Sequence, residues 1–274
     1  MKQVIVIFSD LDGSLLDHDS YSFQGALPAL ARIKRDQIPL VLTTSKTRLE
    51  VVDLQAELGI REPFIVENGA AVFFPSAYRG FRMAHAPKMA PYRVIVLGRP
   101  YEEIRRFFEE LKERFPVQGF GDLSAEDVAR LADLPLQKAH WAKRREFTEP
   151  FFLGDMNCLD EIEERAKREG LKITKGGRFH HLMGADQDKG LAVARTREVF
   201  AADCSEGIVS VALGDSPNDL PMLLNVDIPI LIPQRGGHFA DMEVPRLRKA
   251  KSPGSRGWNE AVEEVLDELQ ENTR

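Results

Sequence analysis

Short apolar runs at residues 4–8, 39–44, 208–213 and 228–232 are each followed by a segment with the apolar spacing of a helix. Those helical segments are expected at 24–34, at 47–58, from about residue 218 and at 259–270, and another at 187–200 precedes the third run. Strands alternating with helices require crossover connections, so the pattern constrains the chain to an α/β fold with a parallel sheet covered on both faces. In such sheets ligands sit beyond the carboxyl ends of the strands, which makes the residues directly after each run the informative ones. A fifth run, 64–66, leads into Glu67-Asn68-Gly69.

The middle of the chain has a different rhythm. Strands at 93–97, 150–153, 172–174 and 179–182 and helices at 101–115, 124–131, 136–142 and 159–169 read as an α+β insertion. The expected organisation is therefore a core of residues 1–85 and 185–274, with residues 86–184 as an inserted domain and hinges at 83–91 and 183–187. A chain of 274 residues with 43% hydrophobic content can bury two such cores. Residues 235–255 are polar and rich in Gly and Pro, as in a long surface loop.

Charge and composition exclude several classes of function. With 37 basic and 43 acidic residues spread along the chain and a net charge of −6, there is no basic stripe for nucleic acid or an anionic membrane. The apolar runs are far shorter than the ~20 residues that span a bilayer, and no signal-peptide order opens the chain, so a cytoplasmic protein is expected. The two cysteines, Cys158 and Cys204, lack the spacing of a disulfide framework or a zinc site. No G-x-G-x-x-G follows the first strand, which removes the usual dinucleotide signature.

Carboxylates cluster after two of the strands. Asp10 and Asp12 follow residues 4–8 in the stretch FSDLDGSLLD, and Asp215 and Asp219 follow residues 208–213 in LGDSPNDLPML. The second group also has the form of a helix cap, with Ser216 and Pro217 at a helix start. Converging on one sheet edge, these carboxylates would repel unless protonated or joined by a cation, and an all-oxygen set with room for water suits Mg²⁺. Thr44, Ser45 and Lys46 end another strand with hydroxyls and N–H groups able to bind phosphate, and Lys189 begins a helix just after the insertion.

The ordered set DLDGS, TTSK, DKG and GDSPND resembles the four motifs of the haloacid dehalogenase superfamily of phosphotransferases. Ser14 stands where the family's first motif has threonine, a change that keeps the hydroxyl. The resemblance implies a Rossmann-like core with an α/β cap and a Mg²⁺-dependent reaction. It implies Asp10 as nucleophile, forming an aspartyl-phosphate, and Asp12 as general acid and base. Thr44 and Lys189 would bind the phosphoryl group, and Asp10, the Asp12 carbonyl, Asp215 and Asp219 would hold the metal.

A finer resemblance, to the mannosyl-3-phosphoglycerate phosphatases, rests on TSKT, VENGAAVF, RREFTEPF, GGRFHHLMG and GWNEAV. It implies a substrate carrying a carboxylate, a sugar and a phosphate. Arg144, Arg145 and Arg178 are the guanidinium candidates for the carboxylate. Glu149 is a candidate for sugar hydroxyls, and of the alternating pair His180 and His181 only one can face a cleft, with His180 assigned there. Asn68 and Asn218 complete the expected substrate contacts. Other sugar-phosphate enzymes on the same scaffold, such as a glucosyl-3-phosphoglycerate phosphatase, a hexose phosphatase or a phosphomannomutase, share the core motifs. A phospho-accepting receiver module shares only strand-end carboxylates and needs no long insertion.

Overall fold

The computed structural model describes residues 4–81, 83, 86–176, 179–204 and 206–271. The elements in chain order begin with β1 (Val4–Ser9), α1 (Leu27–Arg35), β2 (Leu40–Thr43), α2 (Arg48–Leu58), β3 (Phe64–Val66), β4 (Ala71–Pro75), β5 (Lys88–Met89) and β6 (Tyr92–Val96). The middle contributes α3 (Tyr101–Lys112), β7 (Val117–Gly119), α4 (Ala125–Ala132), α5 (Leu136–Ala142), β8 (Glu149–Leu153), α6 (Leu159–Arg168), β9 (Leu171–Gly176) and β10 (Phe179–Gly184). The chain closes with α7 (Lys189–Asp203), β11 (Ile208–Gly214), α8 (Leu220–Leu224), β12 (Ile228–Leu231), β13 (Arg248–Lys249) and α9 (Gly254–Glu271).

Among the described residues, nine strands form one sheet in the order β13-β12-β11-β1-β2-β3-β4-β6-β5, and β7-β8-β10-β9 form a second. From β13 to β3 all neighbours are parallel, as the alternating pattern requires. Central strands here read as unbroken apolar runs because both faces are covered. Ile7, Leu42 and Trp258 belong to the cluster on one face, and Phe8, Val41 and Phe200 to the cluster on the other.

Two features depart from the sequence reading. A hairpin at Glu67–Ala70 returns the chain as β4 antiparallel to β3, with Glu67 and Asn68 in the left-handed region. The strand expected to open the insertion then pairs as β6 with β4, so it extends the large sheet. The second sheet thus begins only after Val96, and the expected division at residue 86 falls inside the large sheet. Apolar periodicity gives a strand's existence but not its partner, so the sequence places this strand in the inserted unit while its pairing places it in the large sheet.

The second sheet is antiparallel and packs α3 and α6 on one face around Phe108, Phe151 and Ile162. A smaller cluster with Phe120, Val128 and Ala139 joins α4 and α5 to it. The end of α5 and the segment after it meet the start of α2: Thr47 Oγ1 donates to the Trp141 carbonyl at 3.0 Å, and Arg48 pairs with Glu146 at 2.8 Å. Buried Glu67 accepts from the N–H groups of Glu146 and Phe147 and from Thr148 Oγ1, at 2.7–3.1 Å.

Candidate active site

The ends of β1 and β11 are adjacent because those strands pair in parallel register, Ser9 opposite Leu213. That pairing alone brings Asp10 and Asp215 together. Asp10 is held by its backbone: its N–H donates to the Leu213 carbonyl at 2.9 Å. Ser9 Oγ donates to the Asp10 carbonyl at 2.7 Å and itself accepts from Trp258 Nε1 at 2.9 Å, which gives the Trp in the GWNEAV stretch a positioning contact. Gly13 follows at φ +82°, and a Cβ there would stand 2.5 Å from Asp215 Oδ2. Only glycine lets the chain turn this close to the second carboxylate.

Asp219 is reached by the short turn Pro217–Asp219, where its Oδ2 accepts from the N–H groups of Asp215 and Ser216 at 3.0 and 3.1 Å. The cap-like pattern read in this stretch is thus present, and it is what aims the other oxygen of Asp219 inward. Lys189, the first residue of α7, is fully buried and places Nζ 2.6 Å from Asp10 Oδ1 and 2.7 Å from Asp219 Oδ1.

Charge in this cluster is not balanced. Burial opposes the charge on Lys189, but the carboxylates of Asp10 and Asp219 outweigh it and hold its pKa above the usual lysine range. Burial, then the charge of Asp219, pushes Asp10 up to about 7 despite Lys189. Burial, then Asp10 and Asp219, pushes Asp215 up to about 8. Carboxyl oxygens of Asp10, Asp215 and Asp219 lie within 4.8 Å of one another. Asp215 Oδ1 is buried and has no hydrogen-bond partner among the described residues. An orphaned buried oxygen beside two more carboxylates is a donor set that a hard divalent cation fits. Asp12 points its side chain elsewhere, and Lys46 Nζ lies 2.8 Å from its Oδ2.

The turn after β2 is shaped by Thr44, which is buried and accepts the Lys46 N–H on Oγ1 at 3.1 Å. Ser45 and Lys46 consequently face a cavity of about 740 Å³ that Asp10, Asp12, Asp215 and Asn218 also line. Asn218 Nδ2 donates to Asn68 Oδ1 at 3.3 Å, so the two asparagines meet beside the acid cluster, with Asn68 almost fully buried.

The second sheet roofs the same cavity, and here several expectations are corrected. Arg144 is exposed and does not line the cavity, whereas Arg145 does, with Nη1 donating to the Ser45 carbonyl at 2.8 Å. Glu149 is buried inside the inserted unit and accepts from Tyr101, Arg105 and the Gly121 N–H, so it holds that unit together and does not line this cavity. His180 faces Phe151 in the apolar layer, and His181, one residue on, lines the cavity. Arg178 lies outside the described residues. On the large-sheet side, Gln234 and, from the 235–255 loop, Arg235 and His238 also line the cavity. Sequence reasoning missed them because nothing in a polar loop says which of its residues turn inward.

The family of haloacid dehalogenase-like hydrolases matches residues 7–87. A glucosyl-3-phosphoglycerate/mannosyl-3-phosphoglycerate phosphatase of Persephonella marina is 53% identical over 266 residues, 97% of this chain and 98% of that one. A protein of the same name from Methanococcoides burtonii is 41% identical, over 95% of this chain and 97% of that one. Among solved structures, a Thermoplasma acidophilum protein superimposes with a TM-score of 0.69 at 19% identity, covering 98% of this chain and 99% of the other, which bears on the fold alone.

Proposed function

Because the chain belongs to the glucosyl-3-phosphoglycerate/mannosyl-3-phosphoglycerate phosphatases within the haloacid dehalogenase-like hydrolases, and is thereby a phosphatase, we propose that it dephosphorylates mannosyl-3-phosphoglycerate and its glucosyl counterpart through an aspartyl-phosphate. The observation that carries this reading is the buried trio Asp10, Asp215 and Asp219, bridged by Lys189, of which Asp10 and Asp215 line the floor of a cavity roofed by the inserted unit. Residues 98–184 act as the cap, and the rest of the chain as the catalytic core.

Asp10 attacks the phosphorus of the bound ester, and the bond to the ester oxygen breaks as the bond to the Asp10 carboxylate forms. Asp12 gives its proton to the departing oxygen, then takes one from the water that attacks the phosphorus and releases Asp10. A phosphoryl oxygen takes the place of Asp10 Oδ1 or adds to it as a partner of Lys189 Nζ, and further donors come from the turn at Thr44–Lys46. Mg²⁺, held by Asp10, Asp215, Asp219 and the Asp12 carbonyl, would supply neutralisation of the charge spread over the transferring group. Arg145, anchored to the carbonyl of Ser45 next to the phosphate turn, pairs with the glycerate carboxylate.

Phosphate release with Mg²⁺ tests the reading on mannosyl-3-phosphoglycerate, glucosyl-3-phosphoglycerate, free 3-phosphoglycerate, mannose-6-phosphate and p-nitrophenyl phosphate. The two glycosyl phosphoglycerates should be preferred in kcat/KM by several orders of magnitude, and EDTA should abolish turnover until Mg²⁺ is restored. Slow, comparable turnover of all five esters would withdraw the substrate, and full activity after metal removal would withdraw the metal.

A further inference from the structure

The cavity roof is chemically unlike its floor. Thr174 on β9 and His181 on β10 are direct cross-strand partners, and Pro150 on β8 flanks His181 on the other side. All three line the cavity with Phe120. Side chains of cross-strand partners project from the same face of a sheet, so a hydroxyl and an imidazole stand next to one another against an apolar wall.

His181 is only 4% exposed, and its Nδ1 is buried with no hydrogen-bond partner among the described residues. Buried polar atoms are nearly always paired, so an imidazole that lines the cavity in this state keeps hydrogen-bonding capacity that the protein does not use. Burial, then the positive charge of Arg145, pushes the ring down to about 3, which keeps it neutral at physiological pH. A neutral imidazole offers one N–H and one lone pair and cannot meet an anion as a cation. Phosphate and carboxylate already have their cations at Lys189, Lys46 and Arg145. What suits a neutral donor and acceptor on an apolar wall is a ring bearing hydroxyls.

We propose that Thr174 and His181 form the sugar subsite, in which His181 exchanges hydrogen bonds with a ring hydroxyl of the glycosyl group. No described protein group fixes which ring nitrogen carries the proton. The imidazole can therefore donate to or accept from the hydroxyl it meets, and by meeting a hydroxyl that the gluco and manno epimers share it serves both. This rests on the reading that the substrate is a glycosyl phosphoglycerate.

The test is kcat/KM for wild type, His181→Phe, His181→Gln and Thr174→Val on mannosyl-3-phosphoglycerate, glucosyl-3-phosphoglycerate and free 3-phosphoglycerate, which keeps phosphate and carboxylate and lacks the sugar. In His181→Phe the ratio of glycosylated to free substrate should fall about 10- to 100-fold, by similar factors for both epimers, because the ring keeps its shape and loses its polar atoms. Partial recovery of the ratio is expected in His181→Gln. Thr174→Val, at a partly exposed position that does not threaten folding, should lower the ratio less. A wild type that prefers the glycosylated substrates, with ratios unmoved in both His181→Phe and Thr174→Val, overturns the subsite and leaves the proposed function standing. A wild type without that preference overturns both. A loss confined to one epimer overturns the claim that an unfixed ring serves the two.

Discussion

Glu149 in the second sheet and the acid cluster at the end of the large sheet are both buried carboxylates, and their surroundings treat them oppositely. In the second sheet Glu149 is fully buried and met by Tyr101, Arg105 and the Gly121 N–H, so its charge is matched where it stands. In the large sheet Asp10, Asp215 and Asp219 are as deeply buried and face one another with Lys189 as the cation among them. Burial of an acid is therefore not the mark of a site in this protein. What separates the two sites is a deficit of partners beside the cavity: Asp215 and His181 line it and each keeps a buried atom without a partner among the described residues, Oδ1 and Nδ1, while the satisfied Glu149 does not line it.

The sharpest break of this comparison is a matched pair of isosteric changes. Asp10→Asn should lower turnover of every phosphate ester by about 10⁴-fold or more, with the fold intact by circular dichroism. Glu149→Gln should cost stability instead, on the order of 2 kcal/mol in urea unfolding, because a neutral amide replaces the carboxylate that accepts from Tyr101, Arg105 and the Gly121 N–H. Activity loss in Glu149→Gln comparable to that of Asp10→Asn would mean that the two carboxylates do not differ in kind.

Asp215→Asn probes the deficit itself. A carboxyl raised to about 8 in the folded state and near 3.8 when unfolded binds more protons when folded. Its contribution to stability is thus full below about pH 4 and is lost as pH rises towards 8. The metal-free variant lacks that loss and should exceed the metal-free wild type at pH 8 by a few kcal/mol, with the difference shrinking towards pH 4. Added Mg²⁺ should stabilise wild type more than the variant in the same denaturation series. A variant less stable than wild type at pH 8 in EDTA would show that the cluster is not strained.

The smallest effect is expected in the cap. Arg145→Ala should lower kcat/KM about 10-fold more on free 3-phosphoglycerate than on mannose-6-phosphate, which has no carboxylate. Equal losses on the two would mean that Arg145 serves only to hold the Ser45 turn.

Much of this was legible in the chain, for a physical reason. The core motifs are local: a strand end fixes where Asp10 and Asp215 emerge, and the alternating pattern implies parallel strands, whose carboxyl ends lie on one edge of the sheet whichever strands are neighbours. The cap is different because its surface is made by register. Arg144 and Arg145, or His180 and His181, differ by one residue, and in a strand or a returning loop one residue decides between cavity and apolar layer. Glu149 looked like a sugar ligand because its partners, Tyr101 and Arg105, come from a helix far away in sequence. The extension of the large sheet by β4, β6 and β5 was hidden in the same way, since an edge hairpin and an inserted strand have the same apolar spacing.

The division of labour between core and cap meets its most direct test in rapid-quench single-turnover kinetics with Mg²⁺, following phosphate bound to the protein as it forms and decays. In the proposed mechanism every ester, once its leaving group has gone, gives the same aspartyl-phosphate on Asp10, and the inserted unit has nothing of the substrate left to read. Formation should be far faster from mannosyl-3-phosphoglycerate than from p-nitrophenyl phosphate, and decay should have one rate constant whichever ester was used. Decay rates that depend on the ester, or no protein-bound phosphate from either, would contradict the account.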